Sequence, residues 1–205
     1  MKQTEYFDEK IIDMMGKAEY AATNSEKAQP EKVESRNIYT GVRIVGKWIY
    51  FERRMLLNEE ISMMLPEKFE LMNEDIARRK YPSEHRPELI MTDETGTVNL
   101  MFQYMEGEVT DETVEALRNQ VFGMMKRVNP GIKEQEIGTM QISGKTVPYV
   151  EFSNPVIDGK LYNLMFYLSV NGRPLMGSFN CQTKVMKYWR SVAFEMVQSI
   201  ELLRK

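Results

Sequence analysis

The strongest constraint on the fold lies between residues 136 and 181, where four β-prone runs (EIGTMQI, TVPYVEF, KLYNLMFYLSV and RPLMGSFNC) follow one another across short turn signals. Ser143–Gly144, Asp158–Gly159 and Asn171–Gly172 mark those turns. Asn-Gly most readily takes the two left-handed conformations of a two-residue hairpin loop, because glycine has no Cβ and asparagine tolerates positive φ. Consecutive hairpins make neighbouring strands antiparallel, so the segment reads as a meander. In its third run Tyr162, Leu164, Phe166, Leu168 and Val170 alternate onto one face. A face this apolar needs another layer to cover it.

The residues after the meander supply that cover. Val185, Trp189, Val192, Met196, Val197, Ile200 and Leu203 recur at helical spacing. A second helix is expected from Thr110 as N-cap, with Asp111 and Glu112 near the positive end of the helix dipole. Val114, Leu117, Val121, Met124, Met125 and Val128 form its apolar stripe, and Asn129–Pro130–Gly131 ends it. Ahead of this helix, Glu88–Thr92 and Thr97–Tyr104 flank the turn DETG as a hairpin. Val98, Leu100, Phe102 and Tyr104 share one face of its second strand, and Asn99, Met101 and Gln103 the other.

Further upstream, YTGVRIVGKWIYFERRMLL reads as one or two strands and Glu60–Leu65 as another, with Pro66 at an edge or exit position because it lacks an N–H. NEDIARRKYPSE holds a short helix ended by Pro82. Residues 1–37 differ in character. Ile11, Met14 and Met15 give a small apolar face around Tyr6–Met15, but Gly16 and Pro30 interrupt it. We therefore expect an N-terminal arm, partly helical or disordered, over 1–37 and a single domain over 38–205.

The order of Leu65–Pro66–Glu67, a short helix leading to Lys80–Tyr81–Pro82, a hairpin, a long helix, a meander and a terminal helix resembles the Mog1/PsbP-like family over roughly residues 58–205. The stretches EISMMLPEKFELM, ARRKYPSEHRPELIMTD, TVNLMFQY and FYLSVNGRPLMGSFNC carry the resemblance. It implies an α/β fold in which an antiparallel β-sheet is covered by α-helices. Members of the family serve unrelated binding or accessory roles, so it implies architecture and leaves activity open. No leader of the kind expected for the photosynthetic, lumenal members is visible, and the charge balance gives no sign of the small-GTPase-binding role.

Composition narrows the classes. Thirty acidic against twenty-seven basic side chains leave a formal charge of −3, too near balance to attract nucleic acid over long range. Cys181 is the sole cysteine, which excludes an intrachain disulfide or a cysteine-rich metal site. Acidic residues interrupt the first residues where a secretory leader needs an apolar run, and no stretch is long enough to span a bilayer. A cytoplasmic location is the expectation.

The chemical motifs do not assemble. Gly41-Val-Arg-Ile-Val-Gly46-Lys47-Trp48 approaches a phosphate-binding loop, but Trp48 stands where a hydroxyl residue should hold magnesium, and strand follows where a helix is needed. His85, between Pro82 and Pro87, reads as a surface turn beside Glu84. Cys181 lies ninety-six positions from it and lacks a visible basic partner. Arg53–Arg54 and Arg78–Arg79–Lys80 are diluted by neighbouring acids, and Glu106, Glu108, Asp111, Glu112 and Glu115 suit a solvated helix start. No residue is thereby assigned as catalytic, cofactor-binding or metal-ligating.

Seventeen methionines and the strand aromatics Tyr149, Phe152, Tyr162, Phe166, Tyr167 and Phe179 read first as core, with a recognition surface as the alternative. The sequence thus points to noncovalent binding or accessory work on a protein or peptide partner. An enzyme with an acid/base site assembled only in three dimensions is the competing reading.

Overall fold

The computed structural model describes residues 37–81, 86–156 and 159–203. The expected N-terminal helix, Pro30, Pro82, His85 and Asp158 lie outside the described residues. In chain order the elements are β1 (Val42–Ile44), β2 (Lys47–Ile49), β3 (Phe51–Leu56), β4 (Ile61–Pro66), β5 (Glu70–Leu71), α1 (Glu74–Lys80), β6 (Leu89–Thr92) and β7 (Asn99–Tyr104). They continue with α2 (Val114–Val128), β8 (Lys133–Ile142), β9 (Lys145–Val156), β10 (Gly159–Val170), β11 (Arg173–Gln182), α3 (Met186–Gln198) and β12 (Glu201–Leu202).

The meander forms as its turns dictate. Ser143 and Gly144 have φ of 49° and 77°, Asn171 and Gly172 of 51° and 79°, so both loops place two left-handed residues between paired strands. The seven-stranded sheet has the order β5-β6-β7-β11-β10-β9-β8, with every neighbouring pair antiparallel. A second antiparallel sheet, β12-β4-β3, and the β1–β2 hairpin complete the strands. Pro66 closes β4, as its missing donor requires.

Each face of the large sheet carries a packed layer. On one, Leu100, Phe102, Tyr162, Leu164, Phe166, Leu168 and Phe179 pack with Trp189, Val192, Ala193, Met196 and Val197 of α3 and with Ile61, Met63 and Leu65 of β4. Phe166 lies over Gly177, where a Cβ would stand 2.1 Å from the ring, so only glycine admits this close approach. On the other face Val150, Phe152, Met165 and Tyr167 pack beneath Val114 and Phe122 of α2. Each such side chain contributes roughly 1.5–3 kcal/mol by leaving water.

Several expectations are revised. The upstream stretch makes three strands, because Val45 and Gly46 turn the chain back between β1 and β2. Thr110 is not the N-cap of α2: the helix begins after Thr113, whose Oγ1 accepts from the Thr110 amide at 3.0 Å. The buried line of α2 is Val114, Arg118 and Phe122, while Met124 and Val128 are exposed. Arg118 is held by Nη1 donating to the Tyr149 carbonyl at 2.9 Å and by Glu115 at 2.9 Å. The last helix stops at Gln198, and the chain then pairs Glu201 and Leu202 with β4.

Candidate functional site

Seven strands spaced about 4.8 Å apart make a sheet about 29 Å wide, whereas a helix is about 10 Å across. One helix therefore covers roughly two strands. On the face opposite α3, α2 packs on β9 and β10, and the short α1 end is joined through Ala77 and Tyr81 to Ile90 and Met101 of β6 and β7. The gap between them, over β7, β11 and β10, is a cleft of about 600 Å³. Met101, Met165 and Met176 line it from the sheet, and Met124 and Met125 from α2.

A polar row runs across the sheet into this apolar cleft, where Asn163 and Asn180 reach its lining. Strand register sets Thr92 opposite Asn99, Asn99 opposite Asn180, and Asn180 opposite Asn163, so four adjacent strands contribute one transverse row. Thr92 Oγ1 donates to Asn99 Oδ1 at 2.9 Å, Asn99 Nδ2 to Asn180 Oδ1 at 2.9 Å, and Asn163 Nδ2 to Asn154 Oδ1 at 2.7 Å. Lys80 Nζ reaches Asn99 Oδ1 at 3.2 Å, and burial lowers its pKa below the usual lysine value. Burial raises the Tyr81 hydroxyl, while its hydrogen bond with Asn180 opposes the shift. An apolar occupant would gain from the adaptable thioethers, and a ligand amide or carbonyl would find partners in the asparagines.

The sequence-derived sites fare differently. The near-phosphate-loop stretch is the β1–β2 hairpin, as its following strand pattern indicated. Cys181 is fully buried and burial pushes its thiol up to about 12, which leaves it unreactive at neutral pH. Arg53 donates to Ser62 and to the Ser199 carbonyl and pairs with Glu201; Arg54 pairs with Glu52 and donates to the carbonyls of Glu67 and Phe69. Arg78 pairs with Glu74 at 3.0 Å, and Asp111 with Lys145 at 2.8 Å. These charges are spent within the domain. His85 lies outside the described residues, and among those described no three of His, Cys, Asp or Glu converge on a metal-sized site.

All six strand aromatics are buried, in line with their first reading as core, and the alternative of an aromatic recognition surface is not found at these positions. Sequence reading placed Met124 in the core and missed the asparagine row altogether. It also missed a buried brace in which Arg190 of α3 grips Glu151, Tyr162 donates to the same carboxylate at 2.5 Å, and Tyr149 donates to Glu136 at 2.7 Å. A second brace joins Glu60, Tyr104 and Arg173, with the guanidinium 3.7 Å from the Tyr104 ring centroid. Burial and Glu60 together push the Tyr104 hydroxyl up to about 12.

No protein-family model matches the sequence, and comparison with curated proteins yields no match. Solved structures do match. The solution structure of cyanobacterial PsbP (CyanoP) from Synechocystis sp. PCC 6803 aligns with a TM-score of 0.56 at 14% identity, covering 75% of this chain and 92% of that one. Mog1 aligns with a TM-score of 0.50 at 11% identity, covering 76% of this chain and 97% of its own.

This is the Mog1/PsbP-like fold.

At these identities the likeness concerns architecture alone. LpqN, involved in cell envelope biogenesis of Mycobacterium tuberculosis, aligns less closely, with a TM-score of 0.49, 11% identity and coverage of 82% and 98%. The expected cytoplasmic location is corrected: CyanoP, which shares this fold, is an extracytoplasmic protein, so the fold is not tied to the cytoplasm. The physical reason is that one buried thiol is compatible with either redox environment, so the cysteine count does not fix the compartment. Among the described residues no helix is long and apolar enough to cross a membrane.

Proposed function

We propose that this domain is a noncovalent binding or accessory protein and that the methionine-lined cleft between α1 and α2 receives apolar side chains of a protein or peptide partner. The observation that carries the reading is the pairing of five thioethers with Asn163 and Asn180, the end of the asparagine row, in one cleft of about 600 Å³. Polarizable, unbranched methionines repack around varied apolar groups, and side-chain amides offer both donors and acceptors to a partner's backbone. Binding and accessory roles among proteins of this fold support it. Glu151 and Glu136, the carboxylates that do meet, are already gripped by Arg190, and Glu60, in its separate brace, by Arg173.

Capture of the partner from the native host, followed by hydrogen exchange of the purified complex, tests the reading. Protection is expected in residues 121–129, 161–165 and 176–180, together with at least about tenfold weaker binding by Met124→Glu, which places a charge on an exposed cleft wall without disturbing the core. Equal binding by Met124→Glu with protection confined to other surfaces would refute it.

A further inference from the structure

We infer that Met124 is a site of oxidation to the sulfoxide by hydrogen peroxide, and that the added oxygen closes the methionine-lined cleft to apolar occupants. The inference rests on the cleft being a binding site, as proposed above, and adds what regulates it. Among the described residues only two methionines are exposed, Met55 at 59% and Met124 at 45%. The thioethers of the cleft are graded in access: Met124 stands on an exposed wall, Met125 and Met176 are half-buried, and Met101 and Met165 are enclosed. Oxidation of methionine follows access to the oxidant, so Met124 reacts first within the cleft. Met55 lies on β3, an edge strand of the smaller sheet, and takes no part in the cleft lining. It is as open to peroxide as Met124 and serves as an internal control.

The step is a two-electron transfer that needs only the peroxide as co-reactant. The Met124 sulfur attacks one peroxide oxygen, the O–O bond breaks as the S–O bond forms, and the departing hydroxide takes the remaining proton and leaves as water. The sulfur is oxidised and the peroxide reduced. Return to the thioether draws two electrons from an external thiol through a methionine sulfoxide reductase. Cys181, fully buried, is not that donor. Oxidation turns a flexible apolar side chain into a polar one that carries a hydrogen-bond acceptor. Water solvates this oxygen on the open wall, so the fold is undisturbed. An apolar occupant would strip the water away, and Val121 and Val128, one turn to either side on α2 and also in the lining, hold no side-chain donor to replace it. Leucine at position 124 would give an apolar wall of like volume without this response.

Peroxide treatment of the full chain, peptide mapping by mass spectrometry and titration with Nile red, a neutral apolar dye, test the inference. Met55 and Met124 are expected to oxidise at least about tenfold faster than Met101 and Met165. The oxidised chain should bind Nile red about tenfold or more weakly, with its thermal midpoint within about 2 °C of the untreated chain. Methionine sulfoxide reductases with a thiol should restore binding. Met55→Leu should respond to peroxide as the parent does, whereas in Met124→Leu the affinities before and after peroxide should agree within about twofold, whatever the starting value. Slow oxidation of Met124, or undiminished dye binding once it is oxidised, overturns the inference; if Met124→Glu still weakens dye binding, the cleft reading stands without it. A loss that persists in Met124→Leu assigns the effect to another methionine and also overturns it. No saturable dye binding, or binding that neither peroxide nor Met124→Glu alters, overturns the cleft reading and this inference together.

Discussion

Arg190 and Glu151 form a two-pronged ion pair, Nε to Oε2 at 2.7 Å and Nη2 to Oε1 at 2.5 Å, that ties α3 to the buried middle of β9. Glu151 is fully enclosed, whereas Arg190 keeps 44% of its side-chain surface in solvent. The asymmetry decides what mutation does. Arg190→Met leaves a carboxylate stranded in the sheet and should cost about 3 kcal/mol, the lower end for breaking a buried pair because the partner is half exposed. Replacing both, with Glu151→Leu and Tyr162→Phe added, removes the stranded groups and should recover more than half of that loss. Urea unfolding of the single and triple variants measures it, and a triple variant no more stable than Arg190→Met contradicts this account.

Trp189 anchors the same helix. It is 5% exposed, with Phe69 and Phe179 at centroid distances of 6.1 and 5.9 Å. Trp189→Ala should cost about 3–5 kcal/mol through lost transfer energy and the cavity left between two rings that cannot close on it. A loss below about 1 kcal/mol by equilibrium denaturation would show the site to be loosely packed.

The sequence made the meander legible because its turns carry their own geometry, and it held more than was read from it. Asn171–Gly172 places Val170 opposite Arg173, and counting back seven residues on each strand sets Asn163 against Asn180. Two asparagines interrupting apolar strands at paired positions were therefore a readable sign of a polar row. Adding Asn99 required knowing that β7 lies against β11, a long-range pairing that no turn encodes. The cleft was hidden for a related reason. Periodicity showed that α2 has an apolar stripe but not that the helix would settle on β9 and β10, leaving Met124 at an open margin. Arg118 went unread for a like reason, since nothing local shows that a charged residue of α2 will be buried against the Tyr149 carbonyl and Glu115.

Alkaline titration should expose the buried thiol. The Cys181 pKa is raised from 9.0 to about 12 in the folded protein because burial disfavours the thiolate. A raised value favours the protonated form, so its contribution is fully present below pH 9 and is lost as pH rises toward 12. Stability of the parent should therefore fall more steeply than that of Cys181→Ala between pH 9 and 10.5, measured as the urea midpoint against pH. Parallel slopes would mean that the thiol ionises equally in both states. Tyr149, raised to about 12, steepens the decline in both proteins above pH 10 and cancels from the comparison.

The boundary expected after residue 37 is proposed one residue earlier, on the contacts that Asn37 and Ile38 make within the domain. Asn37 closes a turn in which its carbonyl accepts from the Thr40 amide at 3.0 Å and its Oδ1 from the Tyr39 amide at 2.9 Å. Ile38 is 1% exposed, and its amide donates to Glu195 Oε2 on α3 at 3.0 Å. Cutting after Asn37 would leave Ile38 as a charged terminus within the core, whereas cutting after residue 36 keeps the turn that delivers it. Deleting 1–36 should preserve a single cooperative thermal transition with the midpoint shifted by less than about 5 °C, equivalent to no more than one or two kcal/mol. Deleting 1–38 removes a core side chain and the helix contact together, and should lower the midpoint by more than about 5 °C. Equal midpoints for the two truncations would place the boundary further along the chain. Loss of cooperativity on removing 1–36 would make those residues part of the folding unit.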